Sequence, residues 1–266
     1  MADEKYVPNM YDWVVCTVKS AWYAVSDRVR LWYGRMTWVP SDQITVVIPT
    51  RNRWQLLEDR ALASLGAQTL EPFSVLVIDD GSDPMALPGL YYIKGRPLRI
   101  EAGGDKVINY PNTAWGRWCA GPVQAMNYAR KFLKNGGWVL RMDDDDVLRP
   151  DALEKLLAWA KNEQVELVSA RHNSKGLPVT PYRLRDHVIG GIQTTLCKAY
   201  VARLPYNRDC WRKSWDCMND VDWVVRAVEA GVKTSYLPEV VCDIDPRPGQ
   251  TETGWLAQQT EYAKGE

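Results

Sequence analysis

Short apolar runs alternate with helical patterns along the middle of the chain. Residues 44–48 and 75–78 are runs rich in β-branched side chains, and each predicts a buried strand. Between them, residues 54–67 place leucine and alanine at helical spacing and predict a helix. A strand, a helix and a strand within this length predict a βαβ unit with parallel strands and a right-handed crossover.

The alternation continues through the second half of the chain. Its pattern predicts helices over residues 123–133, 150–161 and 221–230, the last one ending at Gly231, and strands over residues 138–142 and 165–170. The predicted fold class is therefore α/β with a mostly parallel sheet.

Residues 1–40 are interpreted as an N-terminal helical leader. The residues 40–42 that follow, Pro-Ser-Asp, are interpreted as a linker. We expect an amphipathic helix that packs its apolar stripe on the main domain, and attachment to a membrane surface is the alternative, with a thin basic face. The stripe recurs at three- and four-residue steps, at Val14, Val18, Ala21, Val25 and Val29.

Composition and charge exclude several classes of protein. The 266 residues carry 33 basic and 33 acidic side chains, which argues against wholesale electrostatic binding to nucleic acid or membrane. The six cysteines form no CxxC pair and there are only two histidines, which argues against a zinc cluster. No apolar run approaches the ~20 residues of a membrane span, and no signal peptide is evident, so we expect a cytoplasmic protein without a transmembrane segment.

Three of the predicted strands end in polar segments. These are Thr50-Arg51-Asn52-Arg53, Asp79-Asp80-Gly81-Ser82 and Asp143-Asp144-Asp145-Asp146. In an open parallel sheet, ligands bind beyond the carboxyl ends of the strands, so the three segments predict one polar ligand site.

The run of four aspartates is the strongest local signal. Adjacent carboxylates repel one another, and a hard divalent cation such as Mg²⁺ or Mn²⁺ relieves that repulsion. The alternative is a solvated acidic turn before the helix that begins near Pro150. Because a buried strand delivers the run to the rim of the sheet, we favour a metal site.

Together these segments resemble family 2 glycosyltransferases. The resemblance rests on residues 44–53, on Val77-Ile-Asp-Asp-Gly-Ser82, on Asp143–Asp146 before Leu148-Arg-Pro150, and on Asn219-Asp220 with Arg226, Gly231 and Tyr236-Leu-Pro-Glu239. It covers residues 44–250 in order and spacing. It implies the GT-A fold, with a donor half over residues 41–150, an acceptor half over residues 151–250, and a polar C-terminal tail over residues 251–266.

The resemblance also assigns roles to individual residues. It implies an inverting transfer from a nucleotide diphosphate sugar, most simply a UDP-hexose, with Asp220 as the general base. Mn²⁺ or Mg²⁺ would be held by Asp143 and Asp145. The donor would be bound by Pro49, Thr50, Arg51, Asn52, Asp80 and Asp144.

Two positions depart from the family pattern. Asn219 stands where the family usually has a glutamate before the base, and Arg247 stands where it often has a histidine before Pro-Gly. Arg247 is a further candidate donor contact, because the paired N–H groups of a guanidinium can donate to two diphosphate oxygens. The alternative is that Arg247 is an exposed residue of the tail.

A cationic and aromatic segment precedes the predicted base. Cations interleaved with aromatic rings are typical of surfaces that contact phosphate and stack on bases, so a nucleic acid or a phosphorylated glycan carrier is a candidate acceptor. A variable surface loop is the competing interpretation. The candidate acceptor residues are Arg208, Trp211, Arg212 and Lys213.

Two other classes of protein would have similar sequence features. A nucleotidyltransferase would carry a glycine-rich loop after the first strand, and Pro49-Thr-Arg-Asn52 stands there instead. A catalytically inactive sugar-binding module on the same fold would not need the acidic run together with Asp220. Both alternatives are therefore disfavoured.

Overall fold

The computed structural model describes most of the chain and all of the predicted strands. The described residues are 9–82, 89–93, 96–102, 122–174, 177–178, 182–184, 187–189, 195–210 and 219–244.

A single large mixed sheet forms the centre of the described structure. Its strand order is β3-β4-β2-β1-β5-β11-β7-β12-β6, and β8 pairs with β7. Strands β4, β2, β1 and β5 are parallel neighbours, whereas β3, β6 and β11 run antiparallel to theirs. The strands are β1 (Val39–Thr50), β2 (Ser74–Asp79), β3 (Gly89–Ile93), β4 (Arg96–Ala102), β5 (Gly136–Arg141), β6 (Asp146–Leu148), β7 (Leu167–Ser174), β8 (Leu177–Pro178), β11 (Thr195–Lys198) and β12 (Thr234–Ile244), with β9 (Tyr182–Leu184) and β10 (His187–Ile189) forming a separate hairpin pair.

Helices cover both faces of this sheet. One buried apolar cluster contains Leu57, Leu65 and Leu153 below the sheet, and the other contains Leu31, Met126 and Trp223 above it. This α/β arrangement confirms the predicted fold class. The helices are α1 (Met10–Thr37), α2 (Trp54–Leu56), a π-helical turn (Leu57–Leu62), α3 (Ala63–Gly66), α4 (Val123–Ala129), α5 (Ala152–Asn162), α6 (Ala199–Ala202) and α7 (Asn219–Glu229).

The helix predicted over residues 54–67 contains a wider turn in its middle. The π-helical turn at Leu57–Leu62 inserts one extra residue per turn between α2 and α3. Leu57 and Ala61 still point into the core, while the guanidinium of Arg60 donates to the backbone oxygen of Asp145 at 3.2 Å. The irregular turn therefore lies directly against the acidic run.

The interpretation of residues 40–42 as a linker is wrong. Strand β1 already begins at Val39, whose N–H donates to the backbone oxygen of Asn135 at 3.0 Å and which pairs with Gly136 of β5. A proline is tolerated here because the polar early part of β1 is exposed and only irregularly paired before Ile44.

The predicted packing of the N-terminal helix is also wrong. Helix α1 begins at its N-cap Asn9, whose side chain accepts from the N–H of Asp12 at 3.0 Å. The valine stripe faces solvent: Val18 and Val25 are each 64% exposed. The polar face packs on the domain instead, because Asp27 forms a buried ion pair with Arg226 of α7.

Candidate functional site

Three strand ends meet at one edge of the sheet, as the sequence predicts. Thr50 at the end of β1 lies beside Asp79 at the end of β2. The backbone N–H of Asp80 donates to the backbone oxygen of Thr50 at 2.8 Å. On the other side of β1, Val47 is in register with Arg141, so the acidic run begins two residues past that pair.

The first two loops of the site are residues 50–53 after β1 and residues 79–82 after β2, and a hydrogen bond holds them together. Asn52 has a positive φ of 54°, which asparagine tolerates better than most residues, and its N–H donates to the Ser82 hydroxyl at 2.8 Å. The buried Asp79 carboxylate accepts from the N–H and the hydroxyl of Ser82, at 2.9 and 2.5 Å. Gly81 permits this turn with φ 79°.

Asp80 lies beside that turn and is partly buried. Burial raises its pKa to about 6, with the nearby Arg51 opposing the rise and Asp79 adding to it. A carboxyl group with this pKa exchanges its proton near neutral pH, so it can accept a hydrogen bond or donate one.

Asp144 is fully buried and ties the acidic run to the first loop. One of its oxygens accepts from the Thr50 hydroxyl at 2.7 Å, and the other lies 3.0 Å from the Arg53 guanidinium. Burial raises its pKa to about 6, although Arg53 and Thr50 favour the charged form. Asp144 therefore fixes the geometry between the two loops.

The other members of the acidic run differ in exposure. Asp145 also pairs with Arg53, at 3.1 Å, and Asp143 lies 3.6 Å from the Arg141 guanidinium and is the most exposed of these acids. The pKa of Asp146 lies well above its ordinary value because its carboxyl is buried and because Asp143 and Asp145 add negative charge nearby.

Arg141 connects the acidic run to the helix that carries the predicted base. It is buried at the end of β5, and its guanidinium donates to the Asn219 side-chain oxygen at 3.3 Å. Asp220 follows at the first turn of α7, where its carboxylate accepts from the N–H of Val221 at 2.8 Å. Burial raises the pKa of Asp220, Arg141 opposes that rise and Asp143 adds to it.

The site thus brings together residues that lie far apart in the sequence. Thr50, Asp80, the acidic run and Asp220 all meet at one edge. Arg53 and Arg141 are functional candidates that the sequence interpretation did not single out. Arg53 could have been found as the last residue of the polar segment after the first strand, and Arg141 as a charge at the end of a strand predicted to be buried.

Some predicted site residues lie outside the described part of the chain. These are Trp211, Arg212 and Lys213 of the acceptor segment, and Arg247. Arg208 is described and exposed, next to Asp209, which pairs with Lys19 of α1.

The acidic side chains of the described residues do not by themselves form a complete metal site. Within the described ranges, no group of three or more histidine, cysteine, aspartate or glutamate side chains is arranged to hold a metal ion. Mg²⁺ and Mn²⁺ commonly use one or two protein carboxylates and take their other ligands from water and substrate phosphates. Asp143 and Asp145 fit that sparser pattern.

The model of glycosyl transferase family 2 matches residues 45–215 of this chain. The matched range contains the first two loops, the acidic run and the predicted acceptor segment.

Two curated proteins share sequence with this chain. The succinoglycan biosynthesis protein ExoW of Rhizobium meliloti is 39% identical over 115 residues, which cover 42% of this chain and 32% of ExoW. An uncharacterized glycosyltransferase of Haemophilus influenzae is 27% identical over 123 residues, which cover 46% of this chain and 34% of that protein. The chain spans about a third of the length of these relatives.

Crystal structures of S. aureus TarS share the fold. TarS 1–349 in complex with UDP-GlcNAc superposes with a TM-score of 0.56 at 17% identity, covering 78% of this chain and 60% of TarS. The complex with UDP gives 0.54 at the same identity, covering 77% and 61%. These likenesses confirm the GT-A fold.

Proposed function

This chain belongs to glycosyl transferase family 2, and we propose that it transfers a sugar from a nucleotide diphosphate donor to an acceptor hydroxyl. The observation that carries the proposal is the convergence of three strand ends with Asp220 at one edge of the sheet. A uridine donor is the first candidate, because TarS, which has the same fold, has been crystallised with UDP and with UDP-GlcNAc.

The first two loops are proposed to bind the nucleotide. Pro49 to Asn52 would line the base and ribose, and Asp80 would bond the base. The hydrogen bonds from Asn52 to Ser82 and from Asp80 to Thr50 support this assignment because they hold the two loops in one fixed arrangement. Asp144 would act near the ribose by fixing Thr50 and Arg53, and Arg247 remains a predicted diphosphate contact.

Asp220 is proposed as the general base. It would accept the proton of the acceptor hydroxyl as that oxygen attacks the anomeric carbon on the face opposite the leaving group. The bond from carbon to the diphosphate oxygen breaks in the same displacement, so the anomeric configuration inverts. Two features support the role: Asp220 is close enough to Arg141 and Asp143 to feel both charges, and burial raises its pKa above the ordinary aspartate value.

Asp143 and Asp145 are proposed to hold a divalent cation together with the donor phosphates. When bound, Mn²⁺ or Mg²⁺ would balance the negative charge that develops on the leaving diphosphate. Arg53 and Arg141 support this role in the chain itself, because each guanidinium lies within 3.6 Å of one of the two carboxylates and orients it.

Replacement of Asp145 by asparagine should reduce turnover on the order of 10²-fold, as removal of other charge-stabilising groups does. The measurement is release of nucleoside diphosphate from the donor, in saturating Mn²⁺ and again in excess EDTA. Wild-type protein should lose activity in EDTA and regain it when Mn²⁺ is restored.

Asp151→Asn is the matched control, because Asp151 is an acid six residues away whose partner is Lys155 at the surface. It should keep wild-type turnover. Full turnover of Asp145→Asn, or of wild-type protein in EDTA, would contradict the metal assignment while leaving the donor assignment intact.

The acceptor is proposed to carry phosphate, as DNA or a phosphorylated glycan carrier does. Acceptor affinity should then fall by roughly one log unit per log unit of salt for each phosphate contacted. The triple variant Arg208→Ala, Arg212→Ala, Lys213→Ala should bind acceptor more weakly with a flatter salt slope, while donor hydrolysis is unchanged.

The matched control removes three exposed lysines on other surfaces, Lys131, Lys134 and Lys161. That variant should keep the wild-type slope. A neutral oligosaccharide accepted without salt dependence would show that residues 208–213 form a solvated loop.

A further inference from the structure

Helix α1 presents a continuous apolar face to solvent. Eleven large apolar side chains of this helix are between 46% and 82% exposed, which is far more apolar surface than scattered exposed residues produce. These side chains are Met10, Tyr11, Trp13, Val14, Val18, Trp22, Val25, Val29, Trp32, Tyr33 and Met36.

The contacts of the opposite face fix this orientation. Asp27 pairs with Arg226 of α7, and the Arg35 guanidinium donates to both oxygens of Glu166 at 2.7 and 2.8 Å. Gly34 lies so close to α6 that a Cβ atom there would be 2.6 Å from Tyr200 Cβ. The polar side of α1 is therefore held on the domain, and rotation of the helix would break these contacts.

The apolar face is wide. Its central line follows alternating four- and three-residue steps, at Val18, Trp22, Val25, Val29, Trp32 and Met36. Exposed apolar side chains also flank this line, at Met10, Val14 and Tyr33, so the face is broader than the narrow seam that a pair of helices needs. It runs the length of α1, about 42 Å of helix over 28 residues.

Charge and aromatic content distinguish this face further. Asp12 and Asp27 are the only two carboxylates of α1, and both are buried. The exposed charged side chains of the helix are therefore basic, and Arg28 lies along one edge of the apolar face. Tryptophan and tyrosine recur along it, and these residues prefer the boundary between lipid headgroups and acyl chains.

We propose that α1 binds the surface of an anionic lipid bilayer, with its axis in the membrane plane and its apolar face inserted below the headgroups. The wide apolar face, the basic sign of the exposed charges and the aromatic residues all fit an interfacial helix. Among the described helices, none is both long enough and apolar enough to span a bilayer. The helix would lie on the membrane and hold the domain there through Asp27 and Glu166.

Flotation of the full chain with lipid vesicles tests this proposal. Vesicles of phosphatidylcholine and phosphatidylglycerol should carry the protein to the top of the gradient, and vesicles of phosphatidylcholine alone should carry much less. The double variant Val18→Glu, Val25→Glu should lower the fraction bound at least about tenfold, because burial of each valine is lost and a charge would enter the interface.

The matched control is Ser20→Glu, Ala158→Glu, which adds two acids at exposed helical positions outside the apolar face. It should bind vesicles nearly as wild type does. Circular dichroism and thermal unfolding should show all three proteins equally folded, because each substituted position is exposed.

Three results would overturn the proposal: no flotation of wild-type protein with anionic vesicles, equal flotation of the two-valine variant, or a wild-type dimer in sedimentation that this variant dissociates without any vesicle binding. The last result would assign the face to a second copy of the chain. None of these readouts uses donor turnover, so failure here is distinct from failure of the proposed transferase activity.

Discussion

Replacement of Asp220 by asparagine is expected to reduce sugar transfer by about 10²- to 10⁴-fold, the usual contribution of a general base. The amide keeps the shape of the side chain but cannot accept the proton of the acceptor hydroxyl. Binding of the nucleotide sugar, measured by calorimetry, should survive because Asp220 lies on α7, apart from the loops proposed to bind the nucleotide.

The pH profile gives a second readout of the same residue. A base works only when deprotonated, so wild-type turnover should fall as the pH drops through the pKa of Asp220, which burial raises above the ordinary aspartate value. This acidic limb should disappear in Asp220→Asn. Glu229→Gln, an exposed acid at the other end of α7, should change neither turnover nor profile. Loss of donor binding with normal turnover of bound donor would make Asp220 a donor ligand instead.

Replacement of Arg226 by methionine is expected to destabilise the fold by about 3–5 kcal/mol, the usual cost of removing one partner from a buried ion pair. The Arg226 guanidinium lies 2.9 Å from Asp222, pairs with Asp27 of α1 and covers the ring of Tyr23. Without it, Asp27 and Asp222 are left buried without their shared cation. Urea denaturation at neutral pH measures the loss.

Arg30→Met is the matched control. Arg30 also lies near Asp27, at 3.5 Å, but its side chain is 43% exposed, so its loss should cost less than about 1 kcal/mol. In Arg226→Met, the loss of stability should shrink as the pH is lowered, because burial raises the pKa of Asp27 and protonation of that carboxyl removes its charge. Equal costs for the two variants would show that Arg226 does not anchor α1.

The strands of the donor half were predictable because each is buried on both faces. Residues 44–48, 75–78 and 138–142 are nearly continuous apolar runs, which β1, β2 and β5 contain almost completely. The extension of β1 back to Val39 was not predictable from Pro-Ser-Asp, because it depends on pairing with Gly136. The π-helical turn at Leu57–Leu62 likewise has no periodicity signal of its own.

The acidic half of the site was predictable, whereas its cationic partners were not. Asp143 to Asp146 stand together in the sequence, and parallel strands bring their ends to one edge. The partners of Arg53 and Arg141 depend on tertiary structure: Arg53 reaches Asp144 and Asp145 from another strand end, and Arg141 reaches Asn219 across 78 residues.

The packing of the N-terminal helix also depends on tertiary contacts that the sequence pattern does not reveal. Periodicity predicts a helix with two faces, but it does not say which face meets the domain. Here the choice follows from two partners far along the chain, Arg226 and Glu166, which bind Asp27 and Arg35 on the polar side. A valine stripe alone would have favoured the opposite packing.

Release of nucleoside diphosphate is the most direct test of whether this chain turns over a nucleotide sugar. The purified protein would be incubated in Mn²⁺ with a panel of nucleotide sugars, UDP-hexoses first, and the free nucleotide quantified. We predict release from at least one donor by wild-type protein, and on the order of 10²-fold less by Asp145→Asn. No release from any donor, with no donor protecting the protein against heat unfolding, would contradict the claim.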